Sequence, residues 1–192
     1  GVVPADARLQ EEAERVLAYT NELYRKSRVY VRLRLKEVWG LNNPNGSFAE
    51  YDYPEVGEAD IVAISGAVPA GIGGYAGMTS KFRNKRYALR PLFRFGDAPT
   101  FAHELGHTVG LGHGDNNGFN SSAGVTFWFA QGDSMCGLAS DVMQYNGDPL
   151  LKFHTNHLMT CKELTGRDDQ YADDMAGSLD SSSTAYSINR VR

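Results

Sequence analysis

The sequence predicts an α/β domain, and three stretches carry that reading. Residues 5 to 26 set Leu9, Ala13, Val16, Leu17 and Leu23 near the 3.6-residue period of an amphipathic helix. Val29 to Val38 alternates strictly. Val29, Val31, Leu33 and Leu35 fall on one face and Tyr30, Arg32, Arg34 and Lys36 on the other, the pattern of a half-buried strand. A second helical run from about Pro99 to Val109 follows Asp97-Ala98-Pro99-Thr100, where Asp97 is suited to cap and Pro99 to the first turn. A chain of 192 residues is long enough for one domain with a substantial core, so residues 1–192 are read as a single unit.

Asp6, just after Pro4, is the expected N-cap of the first helix. Glu11, Glu12 and Glu14 lie early in it and Arg25 and Lys26 late, in the sense that the helix dipole favours. After the alternating strand, Asn42-Asn43-Pro44-Asn45-Gly46 is a turn cluster that leads into an acidic, tyrosine-rich loop. Ala59 to Ser65 reads as a short buried strand. Residues 61 to 80 hold twenty uncharged positions, but five glycines and Pro69 fall among them, so a strand running into a glycine-rich loop fits better than a membrane span. Gly71-Ile72-Gly73-Gly74-Tyr75-Ala76 matches Gly-x-Gly-x-x-Ala, yet no helical pattern follows Ala76, and the dinucleotide-binding reading is set aside. Tyr87 to Phe95 is strand-like. The loop from Gly114 to Asn120 is rich in side-chain oxygens. Turn chemistry accounts for it, with a Ca²⁺ site as an alternative that lacks EF-hand spacing. Val125 to Phe129 is a short strand or an apolar loop. Leu150 to Leu164 reads as a second major helix with Leu150, Leu151, Leu158 and Met159 on its apolar side. His154 and His157 then lie on its surface, a second metal site being the sharper alternative. Residues 166 to 192 are acidic, then serine-rich, and either wrap the domain or form a linker.

The chemistry concentrates in residues 103 to 113, His103-Glu104-Leu105-Gly106-His107-Thr108-Val109-Gly110-Leu111-Gly112-His113. His103 and His107 are four apart and share one helix face, which aims two imidazoles at one point. Gly110 adopts positive φ without steric cost, so the helix can stop there and the chain can turn back to deliver His113. Three imidazoles with a fourth position open describe a catalytic rather than a structural zinc site. Glu104, rotated off the ligand axis, is placed to act on a water at the open position rather than on the metal.

His-Glu-x-x-His-x-x-Gly-x-x-His resembles the signature of the metzincin clan of zinc endopeptidases, and Ser140-Asp141-Val142-Met143-Gln144-Tyr145 is similar to that clan's methionine turn. Elsewhere the resemblance rests on the order of helices and strands. It implies a twisted mixed sheet with an active-site helix and a C-terminal helix, in two lobes (about 1–113 and 114–192) around a zinc cleft. It also implies a secreted endopeptidase with one catalytic Zn²⁺ on His103, His107 and His113, Glu104 as general base and then acid, and Met143 as an apolar floor. Tyr145 stands where some metzincin families place a tyrosine that donates to the oxyanion, a structural tyrosine being the alternative. Gln144, Tyr145, Asn146 and Gly147 would wall the specificity pocket. The 71–76 segment would lie beside a sheet edge, where a protein or peptide substrate binds as an extended strand. An inhibitory propeptide in the precursor and a monomeric state complete the expectation. Gly114 follows the third histidine where several families carry a distinctive residue, so no subfamily, reprolysin-like or other, is assigned. Asp115 is a candidate acceptor for a ligand imidazole. Export favours a disulfide between Cys136 and Cys161, closing a loop around the methionine turn, with two buried thiols as the alternative.

The formal net charge of −4 argues against a nucleic-acid-binding face. Two rival functions share the histidines: a zinc hydrolase of a non-protein substrate, and a catalytically inactive zinc-binding adhesion or interaction module. The presence of Glu104 counts against the second.

Overall fold

The computed structural model describes residues 2–41, 61, 63–66, 74–76, 92–94, 97–113, 136, 140–143, 152–154, 156–177 and 183–190. Helix α1 spans Ala7–Lys26, and the Asp6 carboxylate accepts from the Leu9 amide at its start, as the sequence predicts. The helix buries Val16, Thr20, Leu23 and Tyr24, one stripe at helical spacing. It ends on Arg28, a non-glycine residue at φ 54. The Val29 amide donates to Tyr24 O (2.8 Å) and the Arg28 amide to Arg25 O (3.3 Å), a Schellman-type stop with arginine in the left-handed place. Long-range contacts hold it there. The Arg28 guanidinium pairs with Glu163, and Asn189 Nδ2 donates to Arg28 O.

Strand β1 (Val2–Pro4) pairs antiparallel with β2 (Trp39–Leu41). The intervening 29–38 stretch departs from the predicted strand. Its burial alternates as the sequence requires, Val29, Val31, Leu33 and Leu35 inward and Tyr30, Arg32, Arg34 and Lys36 outward, but it belongs to no ladder among the described residues. Side chains take the place of a neighbouring strand. Asn21 of α1 brackets Leu33, accepting from its amide (2.8 Å) and donating to its carbonyl (3.0 Å), while Asn189 Oδ1 accepts from the Tyr30 amide.

A three-stranded mixed sheet follows, ordered β3 (Ile64–Gly66), β5 (Leu92–Arg94), β4 (Gly74–Tyr75). β3 runs parallel and β4 antiparallel to β5. Of the buried strand expected over 59–65, Ile64 and Ser65 belong to β3 while Ile61 and Ala63 do not, and Ala63 and Ser65 are exposed. Helix α2 (Ala98–Thr108) packs against α1, β4 and β5. Beyond it come β6 (Ser140–Asp141), parallel to β7 (Lys152–Phe153), and β8 (Asn156–Thr160), antiparallel to β9 (Met175–Ala176). Two short helices, α3 (Cys161–Thr165) and α4 (Thr184–Arg190), close the described chain. This is a mixed α and β architecture with one core, in which Phe101, Ala102, Leu105, Leu111, Val142 and Met143 meet Tyr24 and Ile188.

The helix predicted over Leu150 to Leu164 is corrected. That stretch is two strands and one helical turn. Thr160 and Glu163 form a reciprocal capping box, so helix can begin only at Cys161. Upstream, Leu158 is exposed while Phe153 and Met159 are buried, so the apolar residues do not share one helical face. Leu150 and Leu151 lie outside the described residues. The 166–192 stretch wraps the domain where it is described, with Thr184, Ala185, Ser187 and Ile188 of α4 buried.

Candidate metal centre

Helix α2 is fixed at both ends. At its start Asp97 accepts from the Thr100 amide (3.0 Å) and from Thr100 Oγ1 (2.6 Å), with proline in the first turn. Its residues from Phe101 to Thr108 are all buried, so the helix is held from every side. At its end Gly110 sits at φ 86. The Gly110 amide donates to His107 O (2.9 Å) and the Leu111 amide to Gly106 O (3.0 Å), a Schellman stop. The reversal does two things. It returns His113 to the helix, and it places Leu111 O against His107 Nδ1 at 2.8 Å.

His103 is oriented from elsewhere. Its Nδ1 lies 2.8 Å from Val142 O, 39 residues away in the chain. A carbonyl oxygen only accepts, so both Nδ1 atoms carry the proton and both Nε2 atoms present a bare lone pair. The three Nε2 atoms form a triangle: His103 to His107 3.1 Å, His103 to His113 3.1 Å, His107 to His113 3.0 Å. Two bare nitrogens at 3.1 Å cannot hydrogen-bond to each other, whereas one cation satisfies both. A triangle of this size is compatible with zinc–imidazole bonds of about 2.0–2.1 Å. Nitrogen donors suit a borderline ion such as zinc and not calcium, which takes oxygen. His103, His107 and His113 are the group among the described residues able to hold a metal ion, and Glu104 is not part of it.

Burial tunes these groups. Desolvation lowers the His107 pKa, partly opposed by its bond to Leu111 O. Desolvation, then the nearby His107, pushes His113 down to about 4. Metal binding requires neutral imidazole, so both shifts favour it at neutral pH. Glu104 is 5% exposed, and burial pushes its carboxyl up to about 8. A cation on the triangle acts in the opposite direction.

Met143 is fully buried and lies against α2, where a Cβ at Gly106 would overlap its Sδ. The turn that carries Met143 is held through two of its own amides. The Val142 amide donates to Phe153 O (2.6 Å) and the Met143 amide to Asp141 Oδ1 (2.8 Å). A disulfide joins Cys136 to Cys161, 25 residues apart, and encloses this turn. Gly106 and Asp141 were not singled out from sequence. Gly106 could have been, because glycine inside a helix costs about 1 kcal/mol against alanine and signals a close approach. Asp141 has no comparable signal.

Tyr145, Gln144, Asn146 and Gly147, the 114–120 loop with Asp115, and Val125 to Phe129 lie outside the described residues. His154 and His157 are not brought together on a metal. His154 is buried beside Thr184, and His157 Nδ1 meets Ser183 Oγ at 2.8 Å. Among the described residues no helix is long and apolar enough to cross a membrane.

No protein-family model matches the chain, and no curated protein matches it. Among solved structures the chain is similar to one titled "Structure of a chaperone-substrate complex", at 20% identity and a TM-score of 0.45. The match covers 68% of this chain and 19% of that one, so the chain spans about a fifth of that protein's length. At that score the likeness carries neither fold nor function to this chain.

Proposed function

We propose that the protein is a secreted, monomeric zinc-dependent endopeptidase of metzincin type. The observation that carries the reading is the Nε2 triangle of His103, His107 and His113, with edges of 3.0–3.1 Å, on a helix whose next residue after His103 is the buried Glu104. His103, His107 and His113 would hold the ion. When bound there, zinc supplies Lewis acidity, lowering the pKa of water toward ~7 and polarising a carbonyl. Glu104 takes the proton as water attacks the scissile carbonyl, then returns it to the leaving amine. Such acid–base help is typically worth ~10²–10⁴ in rate. Val142 O and Leu111 O hold the His103 and His107 rings in the ligating tautomer. By its place two residues after Met143, Tyr145 is the proposed hydrogen-bond donor to the oxyanion.

The sheet supports a peptide substrate. Among the described residues β4 is an outer strand of its three-stranded sheet, antiparallel to β5 and packed against α2, so an extended peptide can add beside it next to the histidines. The 136–161 disulfide supports an oxidising compartment outside the cytosol. An inhibitory propeptide in the precursor belongs to the same proposal.

The test is Glu104→Ala. The variant should bind one equivalent of zinc and lose peptidase activity by ~10²-fold or more. Chelation should abolish wild-type cleavage of a mixed peptide library, and zinc should restore it. Retained turnover in the variant would sink the mechanism. A wild-type protein that binds zinc yet cleaves no peptide would sink the endopeptidase reading.

A further inference from the structure

We infer that Thr184 on α4 is a positioning residue for the metal centre, acting through a buried chain that ends on His103. This rests on the three-histidine triangle taking a metal. Thr184 Oγ1 donates to Asp141 Oδ2 at 2.6 Å. The other oxygen of the same carboxyl, Oδ1, accepts from the Met143 amide at 2.8 Å, which closes the turn around Val142. Val142 O in turn accepts from His103 Nδ1. The threonine hydroxyl has one proton, committed to Asp141, so its oxygen accepts from His154 Nδ1 at 3.1 Å. His154 is anchored at its backbone, where its amide donates to Ser27 Oγ at the end of α1 (2.9 Å). Ser27, Asp141, Met143, His154 and Thr184 are all 0% exposed.

The chain therefore links the C-terminus of α1, the stretch between β7 and β8, and α4 to one carbonyl oxygen. That carbonyl sets which nitrogen of His103 carries the proton and where the ring points. Thr184 lies 81 residues from His103 in the sequence (184 less 103) and outside the ligand group. Its influence passes through the Asp141 carboxyl. Without the hydroxyl, that carboxyl loses the contact opposing its grip on the Met143 amide, and the turn can shift under the ligand. Low dielectric makes each bond of such a buried chain matter, because water cannot replace a lost partner.

The experiment compares the 192-residue wild type, Thr184→Val and Thr184→Ser. Zinc affinity is read by competition with a chromophoric chelator, and Tm is measured on the metal-free proteins. Partners of metal ligands typically change affinity by 10–100-fold, so Thr184→Val should weaken zinc by about 10-fold and Thr184→Ser should stay within about 3-fold of wild type. Bound Co²⁺ should show a shifted visible spectrum in Thr184→Val alone. Ile188→Ala, a buried change on the same helix outside the chain, should lower Tm with zinc affinity kept. Equal zinc affinity in wild type and Thr184→Val, whatever the Tm, overturns the inference and leaves the metal site standing. Failure of the wild type to bind zinc overturns both. If Thr184→Val does not fold, Thr184→Ala carries the test. It removes the hydroxyl without placing a methyl group against the Asp141 carboxylate, and unchanged zinc affinity in that variant overturns the inference equally.

Discussion

Gly106→Ala tests the contact that seats the 140–143 turn beneath the ligand helix. A Cβ at Gly106 overlaps Met143 Sδ and comes within 3.2 Å of Met143 Cε and 3.3 Å of Leu111 Cδ1. Met143 and Leu111 are both 0% exposed, so the thioether must move inside a closed core. Two terms oppose each other. Alanine in place of glycine inside a helix gains about 1 kcal/mol. Overpacking of a filled core costs about 1–3 kcal/mol. The expected net loss is about 1 kcal/mol, or a Tm lower by about 2–4 °C for a domain of this size. The assay is urea and thermal unfolding of the metal-free protein, with Gly106→Ala placed in wild-type and Met143→Val backgrounds. Met143→Val removes Sδ and Cε, so the alanine should then stabilise by its propensity term of about 1 kcal/mol. The cycle should show a coupling of about 1–3 kcal/mol between the two positions. A Gly106→Ala protein at least as stable as wild type, with no coupling to position 143, refutes the packing argument.

Three further outcomes follow from the fold. Reducing the Cys136–Cys161 bond releases a loop of 25 residues and should destabilise by about 3.5 kcal/mol on the chain-entropy relation, read from urea midpoints with and without reductant; a loss below about 1 kcal/mol contradicts that relation here. Asp97→Ala removes both acceptors of the α2 cap and should cost about 1 kcal/mol, with an unchanged Tm as the contrary result. Burial pushes His154 down to about 3, against about 6.5 unfolded, so the unfolded chain binds the extra proton. Its contribution is complete above pH 6.5 and is lost as pH falls toward 3. Between pH 6.5 and 5 the loss should be about 2 kcal/mol in wild type relative to His154→Phe, and parallel pH profiles of the two proteins would disprove it.

What the sequence made legible was local. The Asp6 and Asp97 caps, the Gly110 stop and the shared face of His103 and His107 each depend on residues within one or two helical turns. Propensity and spacing mark such features in the sequence without reference to distant contacts. The 150–164 stretch shows the opposite case. Its leucines suggested a helix, but the Thr160–Glu163 box and the pairing of β8 with β9 override that pattern. The 29–38 stretch is intermediate. Alternation fixed which side chains face inward, while the partner of its backbone proved to be Asn21, a side chain on another element. No periodicity encodes that choice.

The same division runs through the metal centre and explains why the eleven-residue motif is not the whole site. His107 is oriented by Leu111 O, inside the motif, so the glycine stop that returns the chain also selects the His107 tautomer. His103 is oriented by Val142 O, outside the motif, and the Val142 carbonyl sits in a turn held by Asp141, Phe153 and the packing of Met143 on Gly106. A chain with residues 103–113 intact and the 140–143 turn displaced would keep the tautomer of His107, held by Leu111 O, and lose the bond that defines that of His103. Its His103 could present either nitrogen. The turn and the ligand helix therefore constrain each other, through Val142 O on His103 and Met143 on Gly106. Gly106, the residue between these two constraints, is small because the methionine occupies the space its side chain would need.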